Sequence, residues 1–498
     1  MPRISTPVPI PSPYGGINSR EGLGSLQPHE ARSLVNWNPE GNALKPRNGF
    51  AAYSTGAPSG EAVNTLAAYT GISGQNMIGV TADGSIWDFS NSTATIVSAA
   101  AYTESRWQTD VYNNYLFAVN GVDTPWRYSA SAVSATGFSG SGLTLTDLVN
   151  VRKARQRLWF CENDSADVWY GGIGSITGTL TKFQLSQVAG GGYCMAVGSH
   201  SQDAGDGPDD YICFVMSTGE ILLYSGDPGS SFSKVGNFFM PPPVGRHCIC
   251  NIGGGLVVMT HGGLVPIEAA VTGAAFDYTS LGNFGKYAPS LKRDVDLYGM
   301  NDGWLMVYHE SKVIINVPTD PGITSVQRVF NTLTGAWTTW EGINASTLCV
   351  YNPGGLFFGG IDDGKVFEVT GHHDAGQPIA VSSRGAFVVV PGGLKSKVTA
   401  ARFDMVIDGA ISGQFGLDTD YRTIDLTTYP TIDIASSTAS TPWGSAWGSD
   451  WSDSSQYPGQ WLGAYADGHS AAIAMEAEVL ASEMEWLGSH LLIRQIGI

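Results

Sequence analysis

At 498 residues the chain is too long for one ordinary hydrophobic core, so two domains, or one large repeat architecture with an appendage, are expected. With 64 glycines and only 14% charged residues it suits a turn-rich all-β protein, and a helix-dominated fold is excluded because helix-forming runs occur only briefly, around Ala471 to Met484. The net charge of −18 argues against a protein that grips phosphates through a basic face, and it does not exclude contact with DNA.

Residues 1–59 read as an extended N-terminal arm. Prolines at 2, 7, 9, 11 and 13 favour polyproline conformation, and the only amphipathic turn lies near Glu30 to Val35. Such an arm cannot hold itself together and should pack on its own propeller or on a neighbour. No apolar h-region follows Met1, so no signal peptide is expected, and no run of about 18 apolar residues is present to cross a bilayer.

Residues 60–372 carry a repeat. Seven hairpin candidates start at Gln75, Asn113, Arg155, Asp209, Gly253, Asp302 and Gly354, between 38 and 54 residues apart. Each pairs an apolar run with a turn and a second strand, as in QNMIGVTADGSIWDF, and turns such as Asp83-Gly84 and Asp363-Gly364 tolerate positive φ. A propeller blade needs about 40 to 50 residues, which leaves room for a second, weaker hairpin per unit, as in SVQRVFNTLTGAWTTWEG. The spacing predicts a β-propeller of about seven blades. A pair of sandwiches would lack the long period, and a parallel β-helix would repeat every 20 to 30 residues or so.

Within the fourth unit, YSGDPGSSFSKVG places Ser225, Asp227, Gly229, Ser231 and Phe232 in the pattern S-x-D-x-G-x-[ST]-[WF]. This resembles the Asp-box turn of sialidases and other β-propellers, which lies between outer strands and reports topology, not catalysis. Glycoside cleavage would need two suitably separated carboxylates, or a triad of arginines for a carboxylate sugar. The arginines of this region (106, 127, 152, 155, 157, 246, 293 and 328) take no repeated blade position, so no catalytic residue is assigned.

Residues 373–498 alternate apolar and polar positions and predict a C-terminal β-sandwich. It carries a long loop in which Trp443, Trp447 and Trp451 recur among glycines and serines. Contact with another subunit or partner is one reading of these tryptophans, and packing on their own sandwich is the other.

Metal and nucleotide chemistry find little footing. His372 and His373 are adjacent and would point to opposite faces of a strand, and His247 with Cys248 and Cys250 reads as strand. IDDGK, from Ile361, lacks the later ligands of a calcium loop and reads as a hairpin turn. No Gly-rich segment opens a helix, no G-x-S-x-G occurs, and the six cysteines contain no C-x-x-C pair. Buried, reduced thiols suit assembly in a cytoplasm.

Two segments together resemble the tail nozzle or tail tube proteins of short-tailed bacteriophages, the podovirus-type β-propeller tail proteins. The first, from Gly15, contains a Gly-Gly-Ile-Asn opening, an Asn-Trp/Asn-Pro turn and an Arg-x-Gly-Phe element at Arg47, Gly49 and Phe50. The second runs from ILLYSGDPG through PPPVGRH to GGLVPIEAA. The Trp-Gly loop near Trp443 to Trp451 is similar as well, and these stretches cover about a third of the chain. The resemblance implies a noncatalytic virion component, assembled in the host cytoplasm as a hexamer attached to an adaptor ring below the portal. It further implies a share of the DNA exit channel, with double-stranded DNA passing in transit during ejection, and a possible attachment of tail fibres. No cofactor, zinc or nucleotide is implied, and an acidic lumen would let DNA slide without sticking. The alternative expectation is a glycan-binding or glycoside-hydrolysing propeller.

Overall fold

The computed structural model describes residues 6–495 apart from 58–59, 73, 100, 130–131, 204–207, 254, 272–280, 321, 352, 390–394, 436–454 and 458–460. It divides into two compact units: residues 52–327 with 343–368, and residues 1–51 with 328–342 and 369–498.

The first unit is an all-β propeller. Its six discrete antiparallel sheets cover residues 63–98, 108–135, 148–183, 194–239, 249–266 and 345–368. The last is completed on its outer side by Ala51–Ser54, a strand that precedes the first sheet in the chain. That exchange ties the start of the ring to its end. The innermost strands stand side by side: Val63–Gly71 lies beside Gln108–Tyr112, which lies beside Leu148–Ala154, and Ala345–Tyr351 returns to Val63–Gly71.

All seven sequence-predicted hairpins form. Six supply the second and third strands of the discrete sheets, because period-two alternation and a Gly or Asn turn fix both pairing and register locally. The seventh, Leu305–His309 with Lys312–Asp320, stands between the fifth and sixth sheets, beside Ile249–Ile252 and Ala345–Tyr351. Thus six discrete blades are present where the spacing predicts about seven. The weak hairpin expected to complete that unit is divided, since residues 328–342 belong to the second unit.

Neighbouring blades are joined by aromatic clusters. Trp159 is fully buried, 5.5 Å from Phe214 of the next sheet and 5.1 Å from Tyr170 of its own. Such edge and tilted pairs contribute about 0.5–1.5 kcal/mol each beyond area burial. All six cysteines are free and buried, and Cys161 Sγ lies 3.5 Å from Cys194 Sγ across the seam between the third and fourth sheets. Burial pushes the Cys248 thiol up to about 12 and the Cys250 thiol up to about 11.

The second unit is organised by two long strands, Ser396–Thr419 and Ser470–Gln495, paired antiparallel along their length with register shifts near Ala400, Met405 and Gly409. Ile379–Gly385 and Thr6–Pro11 pair with the free side of Ser470–Gln495, and Leu462–Gly468 and Ile432–Ala435 with the free side of Ser396–Thr419. The described C-terminal strands therefore belong to one branched, hydrogen-bonded sheet, and two separate sandwich sheets are not resolved. Ala471 to Met484, the one helix-like run, is strand, because it pairs along its length with Ser396–Thr419; Ala471 to Met475 are buried in succession, and beyond them Ala477, Val479 and Met484 face the core. The 11-residue helix Ala288–Tyr298 in the first unit has no counterpart in the sequence reading, although Pro289 at its first turn and Leu291 with Val295 on one face are its local cause.

The N-terminal stretch differs most from expectation. Thr6–Pro11 is an edge strand paired with Gly488–Ile493 of its own chain, and not a polyproline arm. Prolines at 7, 9 and 11 leave only Thr6, Val8 and Ile10 with N–H groups, all on the side that meets the ladder. The outward edge then offers carbonyls alone, which blunts further strand addition.

Candidate functional site

The Asp-box stretch is the turn between the third and fourth strands of the fourth sheet, Glu220–Ser225 and Ser233–Phe239. Asp227 accepts from Arg157 Nε at 2.9 Å and from Arg157 Nη2 at 3.1 Å, while Arg157 Nη1 donates to Gly171 O at 2.9 Å. The Ser230 and Ser231 N–H groups both donate to Asp227 O, and Phe232 stacks on Tyr224 at 4.8 Å. Gly226, at φ +88°, has no room for a side chain, since an added Cβ would meet Ser231 O at 2.1 Å. The turn thus clips the fourth blade to the third, and its aspartate is spent on an arginine of the neighbouring blade.

The N-terminal motif residues converge on a knot within the second unit. Arg47 is 2% exposed and uses all five guanidinium donors: two on the Asp374 carboxylate at 2.8 and 2.6 Å, one on Asn36 Oδ1 at 2.9 Å, and two on the Asn48 and Glu341 carbonyls at 2.8 Å. Asn36 adopts φ 60° to present that oxygen, which also accepts from Glu341 N at 2.8 Å. Trp37 is fully buried 5.9 Å from Trp486, and an added Cβ on Gly49 would meet His373 O at 2.0 Å. Asp374, not signalled by any local pattern, is the missed member of this group. The residue that follows the His372–His373 pair, rejected above as metal ligands, supplies the buried arginine's counter-ion in the fold.

The strongest chemical cluster lies in the propeller, where inner strands begin around a cavity of about 210 Å³. Arg106 and Gln108 come from the start of the second sheet, Arg152 from the inner strand of the third, His247 from the start of the fifth, and Gly303 from the start of the Leu305–His309 hairpin. Arg106 is braced: its Nη2 donates to Ser346 Oγ at 3.3 Å and its Nη1 to Ser346 O at 3.4 Å, and its backbone N–H donates to Glu104 Oε1 at 2.8 Å. Burial lowers the Arg106 guanidinium against the opposing pull of Asp302 and Glu104. Arg246 donates to Asn163 Oδ1 at 2.6 Å. Burial, together with Arg152, Arg106 and Arg246, lowers His247 to about 4, so its imidazole is neutral at pH 7.

Gln108 is 4% exposed; its Oε1 accepts from Asn150 Nδ2 at 3.2 Å, while its Nε2 donor has no partner among the described residues. Arg152 has neither a hydrogen bond nor a carboxylate partner among the described residues. The sequence reading found no repeated blade position for these arginines; the fold shows that two of them meet because inner strands converge on one axis, which no linear spacing displays.

Trp443, Trp447 and Trp451 lie outside the described residues. Asp363, in IDDGK, accepts from Lys365 N at 3.1 Å and closes the turn between Gly355–Gly360 and Val366–Glu368. His373 Nδ1 accepts from Gly376 N at 2.9 Å. Among the described residues no group of three or more His, Cys, Asp or Glu side chains is placed to hold a metal ion, and no helix is long and apolar enough to cross a membrane.

No protein-family model and no curated protein matches the chain. Solved structures similar to it include the WD40 β-propeller domain of Doa1, at 11% identity and a TM-score of 0.37, covering 64% of this chain and 96% of that one. The β-propeller domain of Cps50 (Swd1) from Myceliophteria thermophila is similar at 9% identity and a TM-score of 0.41, covering 66% of this chain and 100% of that one. No argument rests on these likenesses; the chain's own sheets make it a β-propeller protein.

Proposed function

We propose that this chain is a structural component of a bacteriophage tail, a nozzle or tube subunit that forms a hexameric ring around the DNA exit channel and attaches to an adaptor below the portal. The observation that carries the reading is the fate of the resembling residues. Asn36, Trp37, Arg47, Gly49 and Phe50 are spent on one another and on Asp374, His373 and Trp486, as expected of motif residues whose work is to hold a scaffold. The Asp-box residues are likewise engaged in joining blades. The acidic balance supports a lumen past which DNA slides. In the same reading the Leu305–Asp320 hairpin belongs to a seventh blade, and the C-terminal strands with the tryptophan loop form a sandwich that meets adaptor or neighbour.

The test is electron microscopy and sedimentation of the purified chain, alone and with the tail adaptor protein. Six-fold rings with a central channel, or a stable complex with the adaptor, are expected. A persistent monomer that ignores the adaptor and binds or cleaves glycans would overturn the proposal.

A further inference from the structure

We infer that the cavity at the head of the propeller's inner strands is a binding site for a small oxyanion of the phosphate and sulfate class. The inference does not rest on the tail reading. Three features of the site point the same way. Arg106 and Arg152 line one cavity, and the charges that offset them, Glu104 and Asp302, stand with Arg106, leaving the Arg152 guanidinium without a partner among the described residues. The Gln108 amide, which lines the same cavity, keeps an N–H donor that meets no acceptor, beside an Asn150 amide whose own oxygen is likewise unmet. An unmet buried donor and an unpaired, half-buried cation both carry a free-energy penalty that an oxyanion would remove.

Size and polarity narrow the ligand. A volume of about 210 Å³ has room for a tetrahedral oxyanion with part of its hydration. A cationic ligand would face two guanidiniums, beside a His247 held neutral by burial and by its neighbouring arginines. An apolar ligand would leave the Gln108 donor and the Arg152 head unmet. The surroundings make the local sign significant: the chain carries a net −18, so long-range steering opposes an anion, and capture must come from these few donors at short range.

Arg152 is assigned as the principal ligand, Gln108 Nε2 as a second donor, and Arg106 as a fixed flank held by Ser346. Titration calorimetry of the full chain with inorganic phosphate and with sulfate, in low-chloride buffer, tests this. Saturable binding at one site is expected, weakened at least about tenfold by Arg152→Gln and by Gln108→Leu, each removing one hydrogen bond to a charged ligand. The exposed-strand variant Lys234→Gln should bind as the parent does. In phosphate-free buffer Arg152→Gln should melt no lower than the parent, whereas Gln108→Leu, which also takes the acceptor from the buried Asn150 amide, should melt lower and is compared at a temperature where it is folded; should Arg152→Gln fail to fold, a structure of the parent protein in phosphate reads the same point through density against Arg152. Absence of saturable binding in the parent, equal binding in Arg152→Gln, or phosphate density elsewhere only would overturn the assignment.

Discussion

The propeller unit and the second unit solve the same problem, an all-β core, by opposite routes. Every blade of the propeller but the last, which borrows Ala51–Ser54, closes on strands adjacent in sequence, and blades seal to their neighbours with apolar and aromatic side chains, as in the cluster that runs from Val149 and Trp159 to Phe214 and Tyr224. The second unit gathers three distant stretches, and its strongest ties are polar and long-range. Arg47 reaches Asp374 across 327 residues, and Arg32 and Arg384 share the fully buried carboxylate of Asp418 across 386 and 34 residues. Local closure tolerates damage blade by blade, whereas a unit tied by few distant ion pairs should respond as a whole.

The largest effect tests the local half of that contrast. Trp159→Ala removes a fully buried indole from the seam between the third and fourth sheets and should cost about 3–5 kcal/mol. In hydrogen exchange the loss of protection should fall in one continuous window, residues 148–239, the span of those two sheets. Loss spread equally over all blades would mean that the ring unfolds as one block, and the contrast would fail.

Asp374→Ala tests the other half. It strips the counter-ion from a guanidinium 2% exposed, and with Asp374 itself partly exposed the cost should be near the lower end for such pairs, about 3 kcal/mol. Exchange should rise in windows far apart in sequence, around residues 34–50, 337–342 and 372–380, with the propeller sheets unchanged. A rise confined to the 372–380 loop would show that the knot is a local clip only.

This difference also explains what could be read from the sequence. The seven hairpins are visible because a strand, a turn at Gly or Asn and a second strand fit within some 16 residues, and the period-two pattern fixes the faces. Arg47 is visible as a motif residue, but its partner is not, since nothing near Asp374 marks it as the mate of a residue 327 positions earlier. The prolines of PVPIPSP suggest an extended polyproline arm because their pairing partner, Gly488–Ile493, lies at the far end of the chain. The cavity cluster is hidden for a related reason: Arg106 and His247 each stand just before the innermost strand of a blade and Arg152 lies within one, but no linear spacing shows that these strands converge on one cavity.

Acidification sharpens the comparison next. The folded propeller holds His247 at about 4 against an ordinary value near 6.5, because burial and three arginines disfavour the imidazolium. As pH falls through about 6.5 the unfolded chain takes up a proton that the folded chain refuses. Stability should therefore be full above about 6.5, decline between 6.5 and 4, and change no further from this group below 4; the contribution is at most about 3 kcal/mol. Denaturant melts of the parent and of His247→Gln, compared across that window, isolate it from the carboxylates. Parallel pH profiles for the two proteins would remove the assigned shift.

The smallest effect concerns the sheet edge of the second unit. With Pro7→Val and Pro9→Val, the Thr6–Pro11 strand keeps its bonds to Gly488–Ile493 through residues 6, 8 and 10, and only its outward side gains N–H donors. Folding stability should fall by less than about 1 kcal/mol, chiefly because the unfolded chain becomes freer. Self-association should change more, since the edge now presents the alternating donors and acceptors that another strand needs. Sedimentation over a concentration series reads this directly, with the variant associating at concentrations where the parent keeps its state. An unchanged series would mean that the prolines do not guard this edge, and the regularity of their spacing would need another cause.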